Sequence, residues 1–244
     1  MGFFYDTFLD RWPPAVAALS IPTVHHLLPE SDVLALLSQC PYTRGLSGQT
    51  TRAAFSDETL AWVDRALQCF PGGAFPRLGA CSFVTANRPA APVRARGQVV
   101  KLLMHPGRRA VSMVWRCLQG RQPVALCLRE WRDIPPASEF RVFIQQRKVV
   151  GISQYHWRCV FSEMEQALAA VRKTMHDAAE TIAAVSHLAD VVADIFVTDS
   201  HWMLVELNPA CDFSSSCLFS PESPFDGTLR YLDADAQPRA ISLE

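Results

Sequence analysis

Apolar residues recur along this chain at two periods, one near 3.6 residues and one near 2, and the changes between them lay out the elements. Helical stripes run through Val33, Leu34, Leu36 and Leu37, behind Pro29-Glu30-Ser31 with Ser31 as N-cap, and through Leu60, Val63, Leu67 and Phe70, behind a Ser56 cap. Pro71-Gly72-Gly73 stops the second of these, and a further helix over residues 108–118 ends at Gly120. The longest stripe, Phe161, Met164, Leu168, Val171, Met175, Ala178, Ile182 and Val185, predicts a core helix starting at Ser162, with Glu165 at capping-box spacing. Strands are predicted over residues 21–28, 74–79 and 124–131, and a hairpin joins 139–144 to 148–154 through Gln145-Gln146-Arg147. Residues 98–104 fit a strand or a helix start. Residues 40–54, polar and holding Gly45 and Gly48, read as a loop, and residues 85–97, with Arg88, Arg94, Arg96, Pro89 and Pro92, as a mobile one. Residues 1–20 look like an aromatic segment laid on the body, and the tail after Pro224 looks peripheral.

One hairpin organises the rest. Val191–Val197 and residues 202–207 flank the polar turn Thr198-Asp199-Ser200-His201, and Asp194, Glu206 and Asn208 interrupt these apolar strands. Glu206 and Asn208, two apart, share a face. If cross-strand partners sum to about 400, Asp194 lies opposite Glu206 on that face, and a slip of one residue would separate them. Two acids and an amide oxygen on one sheet face suit Mg²⁺ carried by phosphates. The plainer reading is a strand end at Asp194 and a turn at Asn208-Pro209.

Composition narrows the classes. The chain has 244 residues, 49% hydrophobic and 19% charged, enough for a sizeable core in one large domain or two small ones. A net charge of −1 argues against a general nucleic-acid or membrane-surface binder. No apolar run reaches a membrane span, and MGFFYDTFLDRW lacks the pattern of a secretion signal, so a cytoplasmic protein is expected. Eight cysteines without a C-x-x-C pair suit buried free thiols in a reducing compartment. His25-His26 is the sole histidine cluster, and neighbours on a strand face opposite ways.

Strands, one long amphipathic helix and more strands predict an α+β fold. Neither common glycine-rich phosphate loop occurs, so a bound nucleotide would be held by side chains and strand edges. Arg129 and Trp131 share one strand face, Glu139 and Arg141 another. Arginine pairs with phosphate through two bonds, and Trp131 before a proline turn could flank a purine. Each also has a plainer role, Arg129 as partner of a surface acid and Trp131 as core.

The order LREW, EFRVFI, KVVGISQ, ADIFV and WMLVELNPACDFSSSCLFS resembles the cell-division-cycle protein 123 family, a divergent branch of the ATP-grasp fold. FLDRWPPAVAALSIPTVHHLLPES and GGAFPRLG resemble its amino-terminal segment and first nucleotide-contacting turn, so the likeness covers most of residues 8–220. It implies two α+β lobes with mainly antiparallel sheets enclosing a nucleotide cleft, drawn here as residues 1–122 and 123–244. It implies ATP and Mg²⁺ as cofactors. Carried over, Arg77 takes the place of an ATP-contacting basic residue, and Arg129, Glu130 and Trp131 fall on the linker strand against adenine. Arg141 falls near the phosphates and Gln154 lines the cleft. Asp194, Glu206 and Asn208 match the metal ligands, with Arg141 and Asp194 the catalytic candidates. Arg77 departs from the family's usual lysine, and Glu206 from its aspartate, which restores the Glu-x-Asn of ordinary ATP-grasp ligases. The stretch between Cys40 and Phe55 lacks an acidic insertion that eukaryotic members carry.

Three functions follow from the resemblance. The first is ATP-dependent carboxylate–amine ligation on a protein or small-molecule acceptor, with Mg²⁺ and arginines stabilising the moving charge. The second is an ATP-dependent assembly chaperone with a translation initiation factor 2-like partner. The third is a scaffold without nucleotide. The loop at 85–97 either closes over ATP or an acidic acceptor or is a solvated connector.

Overall fold

The computed structural model describes residues 2–83, 91–162, 164–211 and 214–242. After two short 3₁₀ turns, Gly2–Thr7 and Leu9–Arg11, come α1 (Pro14–Ala17), β1 (Thr23–Leu27), α2 (Glu30–Ser38), α3 (Pro41–Leu46) and α4 (Asp57–Gln68). Next are β2 (Ala74–Leu78), α5 (Arg96–Met104), α6 (Arg108–Gln119), β3 (Ala125–Glu130), β4 (Glu139–Gln145) and β5 (Lys148–Gln154). The chain continues through α7 (Met164–Val185), β6 (Val191–Val197), β7 (Trp202–Pro209), β8 (Thr228–Leu232) and β9 (Pro238–Ser242). The α+β class with mainly antiparallel sheets is the one the sequence predicts.

The elements gather into two compact units, one of residues 8–11 and 22–132, the other of residues 1–7, 12–21 and 133–244. In the first, a three-stranded antiparallel sheet has the order β1-β3-β2, and α2 to α6 belong to the same unit, with α4 on β1. β3 is the middle strand, so a cut at residue 122 would divide this sheet. Leu126, Cys127 and Leu128 of β3 are fully buried. The Ser56 cap forms as predicted, its hydroxyl accepting from the Thr59 N–H. The same hydroxyl donates to Asp32, whose other oxygen takes the Ser56 N–H, so a buried acid fixes the α4 entry to α2.

The second unit is a six-stranded sheet of order β7-β6-β4-β5-β8-β9, antiparallel except for β5 with β8, and α7 packs on β5, β6 and β7. The two predicted hairpins form. Partner numbers in β6–β7 sum to 400 from Val191 to Asp194 and to 399 from Ile195 onward, because a bulge beside Asp194 gives β7 one extra residue. Along one sheet face Phe143 packs with Val192 and Phe219, and Val150, Cys217 and Phe225 join them. Gly151 is required there: a Cβ would come within 2.6 Å of Phe219 Cζ. Every other residue of these strands, Val142, Ile152, Ala193 and Ile195, is fully buried.

Several expectations change. α2 starts at Glu30 with Pro29 as N-cap, since the Pro29 carbonyl takes the Asp32 and Val33 N–H groups; Ser31 lies within its first turn. Residues 40–54 hold α3, started by Pro41 at a position where no N–H is needed and pinned by Thr43 donating to the Leu37 carbonyl at 2.7 Å. The stretch 85–97 is not all loop. Val93 is buried and exchanges two backbone bonds with Ala74, and Arg96 begins α5 after Gln98 accepts the Arg94 and Ala95 N–H groups. Residues 85–90, with Arg88, lie outside the described residues. α7 starts at Met164, and Glu165 there accepts from the Tyr231 hydroxyl. The tail is not peripheral: β8 joins the sheet with Leu229 and Tyr231 buried, because its alternating residues complete the edge beside β5.

All eight cysteines are free thiols, three of them buried. Among the described residues no helix is long and apolar enough to cross a membrane.

Candidate functional site

Three adjacent strands of the second unit bring the acid and amide residues together. Asp194 is opposite Arg141 on one side and Glu206 on the other, and Asn208 is opposite Val192. All four polar side chains thus share one face. Arg141 grips Asp194 in two bonds, Nε to Oδ1 at 2.7 Å and Nη2 to Oδ2 at 2.9 Å. Asn208 Nδ2 adds a third at 2.9 Å, to Oδ2. The remaining Arg141 nitrogen, Nη1, donates to the Ser215 carbonyl, and the guanidinium lies 4.9 Å from the Tyr155 ring centroid.

Burial sets the electrostatics. Asp194 is 1% exposed and Arg141 7%. Removal from water pushes Asp194 up to about 6, against the pull of the Arg141 charge and its hydrogen bonds. Desolvation opposes the Arg141 charge as well, but Asp194 outweighs it and holds the guanidinium protonated. At neutral pH the pair is therefore ionised. Burial also raises the Tyr155 phenol, and raises the Cys217 thiol to about 11.

The donor set suits a hard cation. Glu206 and Asp194 supply carboxylates, and Asn208, whose nitrogen faces Asp194, has its carbonyl oxygen for a ligand. Among the described residues Asp194 Oδ1 accepts one bond, from Arg141 Nε, which leaves a lone pair toward a cation. Among the described residues there is no group of three His, Cys, Asp or Glu, so cation binding here would need oxygens brought by a ligand such as phosphate.

The other candidates lie in the first unit or serve the backbone. Arg77 opposes Cys127, and Phe75 opposes Arg129, so the two arginines share one face of the three-stranded sheet. Both are buried, and Arg77 Nε donates to the Leu78 carbonyl. Trp131 follows β3, its N–H bonded to Gly73 and its ring 6.5 Å from that of Phe75. Glu130 pairs at the surface with Arg132 at 2.6 Å. Gln154 is fully buried; its nitrogen donates to the His156 and Cys159 carbonyls, and its oxygen takes the Leu232 N–H. His25 and His26 part as expected: His26 bonds to Thr59 and stacks on Trp62.

Sequence reading missed three neighbours. Ser215 and Tyr155 hold Arg141, and His156 Nε2 meets the buried Glu139 at 3.1 Å. Tyr155-His156 directly follows the GISQ strand, and that adjacency was the available signal.

Residues 114–230 match the D123 family. Two relatives called "Translation initiation factor eIF2 assembly protein" align over 101 residues each. The one from Candida albicans is 28% identical over 39% of this chain, and the one from Xenopus laevis 32% over 40%. The aligned segment spans 29% of either relative. The solved structure of Cdc123 from Schizosaccharomyces pombe superposes with a TM-score of 0.71, covering 90% of this chain and 89% of that one at 15% identity. Over residues 114–230, a little under half of its length, the chain matches the D123 family, and along nine-tenths of its length it has the fold of Cdc123, so the resemblance to the cell-division-cycle protein 123 family holds.

Proposed function

We propose that this chain binds ATP with Mg²⁺ and acts as an assembly factor for a protein complex of the translation initiation factor 2 type. The observation that carries the nucleotide reading is the shared face of Asp194, Glu206 and Asn208 with Arg141 locked beside them. Glu206 and Asp194 would hold the cation and Asn208 would complete it through its carbonyl. When bound, Mg²⁺ supplies charge to offset the phosphates. Arg141 keeps Asp194 ionised and oriented. Arg77, Arg129, Glu130 and Trp131 are assigned to the nucleotide's phosphates and base, and Gln154 to fixing the main chain at residues 156–159. The names of the relatives favour assembly over ligation. The Glu-x-Asn pair at Glu206 and Asn208 keeps ligation as the second reading.

Calorimetric titration with ATP, with and without Mg²⁺, tests the site. Glu206→Gln keeps the side chain's shape and should weaken ATP·Mg²⁺ by tenfold or more, on the order of 1.4 kcal/mol for a lost charged contact. Unchanged affinity in the folded variant removes the metal assignment. Phosphate release that depends on an added amine or carboxylate acceptor would replace assembly by ligation. Cosedimentation with initiation factor 2 subunits that requires ATP would favour assembly.

A further inference from the structure

The net charge of −1 conceals a large separation. The unit of residues 8–11 and 22–132 has fifteen Arg and Lys against seven Asp and Glu, a net +8; the other has eight against seventeen, a net −9. No acid occurs between Asp32 and Asp57, nor between Asp64 and Glu130. Helices α3 and α6 come from these two acid-free stretches, and they pack on each other. Arg108 and Arg109 on α6 are exposed, and Arg44 on α3 is half-buried. Cys40, at the start of α3, feels this charge. Burial pushes its thiol up, but the backbone N–H groups of Thr43 and Tyr42, the Thr43 hydroxyl and the Arg108 guanidinium bring it below the ordinary value.

Amid these cations, two apolar side chains stand in water. Tyr42 is 72% exposed and Leu46 45%, one turn apart on α3. They are held there, because buried Thr43 ties α3 to the end of α2 through the Leu37 carbonyl. A fixed exposed tyrosine is a common anchor of protein interfaces, and arginine forks pair with carboxylates in two bonds.

We infer that the α3–α6 face, with Tyr42, Leu46, Arg108 and Arg109, docks an acidic polypeptide segment that carries an apolar anchor. The carboxylates pair with the arginines, and the anchor covers Tyr42 and Leu46. A long nucleic acid fits less well. Leucine offers no stacking face for a base, and the net −9 carried by the rest of the chain repels an extended polyanion. Nothing in this docking requires nucleotide, so it stands or falls apart from the ATP reading.

The test is fluorescence anisotropy, without nucleotide, with a short fluorescein-labelled peptide in which glutamates flank a leucine and a phenylalanine. The wild-type chain should bind it, less tightly as salt rises, and should ignore the peptide with glutamine at every glutamate. The double variant Arg108→Glu, Arg109→Glu should lose roughly a hundredfold in affinity, and Tyr42→Ala about tenfold. Far-ultraviolet circular dichroism should stay unchanged, as these side chains are at the surface. ATP·Mg²⁺ titration of the double variant should match the wild type. No binding by the wild type, equal binding by the double variant, or tighter binding of polyuridine than of the peptide at the same face would each overturn the proposal.

Discussion

Arg141 reaches from β4 to Asp194 on β6 with two parallel bonds, and neither side chain has water to fall back on. Each therefore depends on the other for its charge. Taking away one member leaves an uncompensated buried ion, which costs about 3–5 kcal/mol. Arg141→Ala and Asp194→Ala should each lower unfolding free energy by about that much in urea titrations. The double variant Arg141→Met, Asp194→Leu should lose less than either single one, because no charge is stranded. Single losses below about 1 kcal/mol would mean that the pair behaves as a solvated surface contact.

The acid's raised pKa gives stability an unusual pH dependence. Asp194 is pushed from 3.8 to about 6 in the fold. Between those values the folded chain keeps a proton that the unfolded chain has released. This contribution to stability is thus fully present below 3.8 and lost as pH rises through about 6. Asp194→Asn removes the ionisation. The stability of the wild type minus that of the variant should therefore fall by up to about 3 kcal/mol from about pH 4 to about pH 7. A difference that stays level would assign Asp194 an ordinary pKa.

The segment from Ser214 to Gly227 is held over the same face by one buried cation. Arg230 donates to the carbonyls of Leu218, Ser223 and Pro224, to the Ser223 hydroxyl and to Asp226, and its guanidinium lies 4.1 Å from the Phe219 ring centroid. Lysine has the charge without the fork. Arg230→Lys should accelerate proteolysis within this segment, and so should Gly151→Ala, which drives a methyl into Phe219 at a cost of about 1–3 kcal/mol. Cleavage at the wild-type rate in both variants would show that the segment is held by other contacts.

The hairpin and its three polar residues were legible because period-2 alternation makes an interrupting acid conspicuous. The arithmetic that set Asp194 opposite Glu206 holds on one side of the bulge and slips on the other. What alternation could not show is the partner of Asp194. Arg141 lies 53 residues earlier, and only the pairing of β4 with β6 brings the two together. Helix α3 was hidden by Gly45 and Gly48, and its cue was Pro41, which suits a first turn. β8 was hidden by its length of five residues and by joining the sheet through a parallel pairing with β5, distant in sequence.

Arg129 gives the first unit its own test of nucleotide recognition. It sits on the middle strand, between Thr23 of β1 and Phe75 of β2, with 3% exposure. Arg129→Lys keeps the charge and most of the volume but loses the planar fork. If Arg129 meets phosphate or the edge of the base, ATP affinity should fall roughly tenfold, about 1.4 kcal/mol for one charged hydrogen bond. Arg132→Lys is the control, because Arg132 is exposed and paired with Glu130, and it should bind ATP as the wild type does. A buried site can lose affinity merely by loosening, so thermal unfolding of both variants is measured alongside the titrations. Arg129→Lys with an unchanged melting temperature and weakened ATP binding places the residue at the ligand. With an unchanged melting temperature and unchanged affinity, Arg129 belongs to the sheet alone.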